Sequence, residues 1–150
     1  MIANLFPKTI DNHYRGLLPA KWVFIVVVVM TISRSLVHIF LPDGGAQSIA
    51  TIPLHAFSSE AAAVIIGMFA QWGLTQLMFG LFYLIVLWRY QSLIPLMWLF
   101  ILFEYSGRLL LSLYKPFETA GQATGGIGNY ILVPLALIML VLALREWENG

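Results

Sequence analysis

LIPLMWLFILFEYSGRLLLSLY, residues Leu93–Tyr114, is apolar enough to cross a bilayer and yet carries Glu104 and Arg108 well inside it. A charged side chain near the centre of a membrane helix costs about 2.5–3.5 kcal/mol on insertion scales, so both residues should face other helices or a cavity, not lipid. The stretch therefore predicts a helical bundle built around a polar centre.

Composition agrees. Of the 150 residues 60% are apolar and 10% charged, against about 25% charged in a soluble domain. The expected class is all-α, an integral membrane bundle, in one domain with no room for a separate soluble unit. A net charge of +1 offers no basic stripe for nucleic acid. With no cysteine, disulfides, thiolate nucleophiles, iron–sulfur clusters and Cys-ligated zinc are all excluded.

Working outward from that stretch, Arg89-Tyr90-Gln91-Ser92 is a tight connection to a preceding apolar segment, about Ala61–Trp88. Such a short link predicts antiparallel neighbours. Ser58-Ser59-Glu60 supplies capping hydroxyls and a carboxylate at its start. The first span is expected at about Trp22–Leu41, after a polar surface segment Met1–Lys21 that lacks the form of a cleavable signal. Between these spans, Pro42-Asp43-Gly44-Gly45 is a turn signal, and Gln47–Phe57, interrupted by Pro53, reads as interfacial or re-entrant. A glycine-containing loop after Lys115-Pro116 leads to a fourth span, about Ile127–Leu144, with a possible kink at Pro134. Lys8, Arg15, Lys21, Arg89 and Arg145 fall on one side and Lys115 on the other, which predicts both termini in the cytoplasm.

Three spans carry polar stripes at helical spacing. The first has Thr31, Arg34, Ser35 and His38, the second Gly67, Gln71 and Thr75, and the third Glu104, Arg108 and Ser112. Counting from the outer helix ends at about 1.5 Å per residue puts Arg34 and Arg108 at one level and Gln71 and Glu104 at a deeper one. Arg34, His38, Gln71, Glu104 and Arg108 are thus the candidate site. One reading is a cationic pocket for an anionic head group, a carboxylate or a quinone carbonyl. The other is structural: Glu104 pairs with Arg34 or Arg108 and Glu60 meets the remaining cation, fixing helix register.

His38 and His55 lie toward the same side but lack a carboxylate at ligand spacing, so neither a metal nor a haem cofactor is expected. Gly121, Gly125, Gly126 and Gly128 lack the strand-to-helix context of a phosphate-cradling loop. No motif names a reaction, and the reading leans away from an enzyme. A small proton-coupled transporter using Glu104 as an oligomer is the alternative.

At NHYRGLLPAKW (12–22), HIFLPDGGAQSIATIPL (38–54) and FEYSGRLLLSLYKP (103–116), the chain resembles small four-helix bacterial membrane proteins grouped near the DoxX-like family. The resemblance implies a four-helix inner-membrane bundle and an accessory or redox-associated role, with membrane lipids, a membrane-protein partner or further copies of itself as company. It carries over no catalytic residue.

Overall fold

The computed structural model describes residues 2–116, 119–121 and 124–145. A single N-terminal turn, α1 (Ile2–Leu5), precedes four long helices: α2 (Leu18–Phe40), α3 (Ser59–Arg89), α4 (Ile94–Tyr114) and α5 (Thr124–Leu144). All four are long and apolar enough to cross a membrane. Between 22% and 33% of each apolar window is buried inside the chain, so most of these surfaces require lipid or protein around them. The molecule is a multi-pass, all-helical membrane bundle.

Helix ends follow local chemistry. Pro19 begins α2 and Pro95 begins α4 within the first turn, where a missing N–H breaks no helical bond. The Ser58 hydroxyl accepts from the Ala61 N–H at 3.3 Å and caps α3. Pro134 lies within α5. The polar stretch that follows Arg145 in the sequence lies outside the described residues.

Small residues decide which helices meet. On α3, a Cβ at Gly73 would lie 2.6 Å from the His38 Cβ, and one at Gly80 would lie 2.8 Å from the Ile32 Cγ1. Both glycines let α3 close tightly on α2. Gly67, by contrast, has nothing within 4 Å of where a Cβ would stand. The main packed pairs are consequently α2 with α3 and α4 with α5, with α2 also resting on α5. The expectation that the short Arg89–Ser92 link makes its two helices close neighbours is therefore corrected. The backbones of the antiparallel α3 and α4 rarely come close, because the glycines commit α3 to α2, although Trp72 and Arg108 still meet between them.

The dry core occupies the half of the bundle near the α3–α4 turn. Phe24 meets Tyr83 and Trp98 edge to face, with ring centroids 5.7 and 5.9 Å apart. The Trp98 indole donates to the Ala20 carbonyl at 3.2 Å. Val28, Val86, Met97 and Ile101 fill the space around them. The N-terminal segment closes this end: the Ser92 hydroxyl accepts from the Asp11 N–H and donates to the Asp11 carbonyl, each at 3.0 Å. The Leu17 N–H donates to the Leu142 carbonyl at 3.1 Å. Arg15 grips Asp11 through both carboxylate oxygens and, with the His13 N–H, holds that carboxyl below its usual range.

At the opposite end the loop 41–58 winds around Asp43, whose carboxylate accepts from the backbone N–H groups of Gly45, Gln47 and Ser48 at 2.9, 3.1 and 2.7 Å. Gly44 and Gly45 take φ of 59° and 75°, a region open to glycine. A 3-10 turn at Leu54–Ala56 carries exposed His55. The loop is clasped to the following one by the Ala120 N–H on the Thr51 carbonyl at 2.9 Å and the Thr51 hydroxyl on the Gly121 carbonyl at 3.0 Å.

Candidate functional site

Above the dry core the bundle turns polar, because α2, α3 and α4 each aim one stripe inward at the level of Tyr105. The Arg34 Nε donates to the Gln76 Oε1 at 3.1 Å. Arg34 also stands 6.0 Å from the Tyr105 ring centroid, and Arg108 stands 5.2 Å from the same centroid. One aromatic ring thus serves two guanidinium groups. Arg108 pairs with Glu104 one turn back on α4 and lies 4.8 Å from the Trp72 ring centroid. Cation–π contacts of this kind contribute about 0.5–2 kcal/mol each, more when desolvated.

His38 is held apart from this charge network. Its Nδ1 lies 2.7 Å from the Gly44 carbonyl, which can only accept, so Nδ1 carries the proton. Its ring stacks on Trp72 at 5.0 Å and meets Phe69 edge to face at 5.6 Å. Trp72 therefore links His38, and through it the 41–58 loop, to the Arg108 guanidinium.

Arg34 and Arg108 both stand beside the Tyr105 ring, and Glu104 pairs with Arg108. Gln71 does not join them: it lies exposed on the face of α3 turned away from α2, and its carbonyl takes the Thr75 hydroxyl at 3.2 Å. The glutamine that meets Arg34 is Gln76, which is buried. Depth counted from a helix end misplaces the register, since α3 runs for 31 residues and continues well past the end of α2. Register is set by Gly73 and Gly80 against α2, and Gln76 falls between those contacts. The spacing Gly73, Gln76, Gly80 on one helical face is the signal that identifies it. Glu60, expected to meet a spare cation, is exposed at the start of α3 and takes the Ser59 hydroxyl instead.

Because α3 and α4 diverge above the core, a cleft of 480 Å³ opens between them and α5. Trp72, Arg108, Leu111, Ser112, Lys115 and Asn129 line it. Its walls are mainly apolar, and both charged residues in it are cations. Gln76 lies one turn below Trp72 on α3 and Tyr105 nearly one turn below Arg108 on α4, so the Arg34 centre lies next below the cleft lining, joined to it where Arg108 meets the Tyr105 ring.

Comparisons of the chain with models of known families, with curated proteins and with solved structures find no match. Among the described residues no group of three or more His, Asp or Glu side chains converges as a metal site would require.

Proposed function

We propose that this protein is a non-enzymatic membrane protein that holds an anionic, lipid-like molecule in the cleft between α3, α4 and α5. The observation that carries this reading is the pairing of apolar walls with Arg108 inside the cleft and Lys115 beside it. Apolar walls favour an acyl or isoprenoid body, and cations beside them favour an anionic group over a zwitterionic one. Arg108 already has Glu104 as a partner, which holds its guanidinium at the cleft without using up its remaining donors. The Lys and Arg distribution that goes with this reading puts both termini in the cytoplasm and the cleft in the outer half of a bacterial inner membrane.

The test is native mass spectrometry of protein released gently from its own membrane. A discrete anionic amphiphile retained by the wild type and lost in the double variant Arg108→Met with Lys115→Gln is the expected result. The same ligand complement in both proteins would remove the proposal. A second polypeptide retained in place of a small molecule would favour the accessory-subunit role that the DoxX-like resemblance implies.

A further inference from the structure

Two buried polar groups lie below the cleft beside the half-buried Arg34. Among the described residues the Gln76 Nε2 and the Tyr105 hydroxyl have no hydrogen-bond partner, and their residues are 3% and 2% exposed. Arg34 uses its Nε on Gln76, and no carboxylate among the described residues pairs with it. At Gln76 the Oε1 takes Arg34 and the Nε2 donors are left unmet. Arg34 can only donate, while the Tyr105 hydroxyl can donate or accept. The centre therefore holds more donors than acceptors. Its formal charge points the same way: Arg34 and Arg108 against Glu104 leave one positive charge at hydrocarbon depth.

We propose that Arg34, Gln76 and Tyr105 form the seat for the oxyanion of a monoanionic amphiphile, inserted head-inward with its tail in the cleft and out between α3 and α4. This deepens the reading above and rests on it. A monoanion supplies the missing acceptor oxygens and cancels the one surplus charge. A dianion would overshoot, and a neutral carbonyl or an internal water would leave Arg34 uncompensated. The cleft opens at the bundle surface beside the exposed Trp72 and Leu111, where a tail would enter. A long-chain carboxylate and the phosphodiester of an anionic phospholipid both have this chemistry.

Radiolabelled oleate binding to the protein in phosphatidylcholine nanodiscs, at a pH where oleate is ionised, tests the assignment. Unlabelled oleate, methyl oleate and phosphatidylglycerol serve as competitors, and Gln71→Leu on the outer face of α3 is the control. Oleate displacing the label while methyl oleate does not would establish the monoanion requirement. Stronger displacement by phosphatidylglycerol would make the phospholipid the source. Gln76→Glu places a carboxylate beside Arg34 with nearly the same shape and should reduce binding about tenfold or more. Tyr105→Phe should weaken it several-fold while leaving the unliganded protein as stable as before or more so, because an unpartnered buried hydroxyl is removed. A purely structural role for these residues would leave affinity unmoved. If methyl oleate competes as well as oleate, or if Lys115→Gln abolishes binding while Gln76→Glu and Tyr105→Phe do not, the head-inward seat is wrong and the cleft reading survives. If neither oleate nor phosphatidylglycerol binds the wild type, both readings fall.

Discussion

Gly73 of α3 packs against His38 of α2 so closely that a Cβ on the glycine would lie 2.6 Å from the histidine Cβ, with the Ser35 carbonyl at 3.1 Å. This contact sets the α2–α3 register and so delivers Gln76 to Arg34. Gly73→Ala should force the helices apart and cost about 1–3 kcal/mol. Gly67→Ala, where a Cβ meets nothing, should cost nothing measurable. Unfolding in mixed micelles with increasing SDS fraction compares the two; equal effects would show that close approach at Gly73 does not set the pairing.

Arg34 lies within a membrane-spanning helix, held by Gln76 and the Tyr105 ring, and no carboxylate among the described residues pairs with it. Removing it should relieve a desolvation cost while destroying the oxyanion seat. Arg34→Met is therefore expected to raise the stability of the unliganded protein, by about 1–3 kcal/mol, and to lower retention of the anionic ligand. Thermal unfolding and lipid extraction on the same preparation read both arms. A variant that loses stability and keeps its ligand would contradict the account.

Asp43 organises the 41–58 loop, outside the spanning helices. Burial pushes its carboxyl upward, but backbone N–H bonds from Ser48, Gly45 and Gln47 outweigh it, and the net shift is below the ordinary value of 3.8. A carboxyl whose folded value is depressed contributes stability fully above its unfolded value, and loses that contribution as the pH falls through the folded one. Melting profiles of wild type and Asp43→Ala should thus differ by about 1–2 kcal/mol at neutral pH, begin to converge near about pH 3.8 and meet only below the folded value. A gap that stays constant down to pH 2 would mean that the carboxylate charge contributes nothing.

Trp98 fills the dry half of the bundle against Phe24 and donates to the Ala20 carbonyl. In lipid the hydrophobic drive between helices is small, so its contribution is chiefly dispersion and the cavity it prevents. Trp98→Ala should cost about 2–3 kcal/mol, at the low end of soluble-core truncations. Trp88→Ala, at an exposed position at the helix end, should be nearly silent in the same SDS titration.

Four apolar segments of spanning length, the proline and serine helix starts and the inward stripe of Glu104 and Arg108 are local features, and the sequence by itself determined them. Each depends on hydropathy, on capping chemistry or on the fixed 3.6-residue period of a single helix. Even the Glu104–Arg108 pair is local, since residues four apart on one helix are neighbours whatever surrounds them. Partners across helices are a different matter. Which glutamine meets Arg34, which helices close on one another and where the cleft opens depend on axial register, and sequence distance from a helix end does not encode that. The tertiary structure decided it through Gly73 and Gly80, where two backbones approach closely enough to fix the sliding of one helix past the other. The same approach draws α3 onto α2 and away from α4, leaving an apolar cleft above a centre of buried donors.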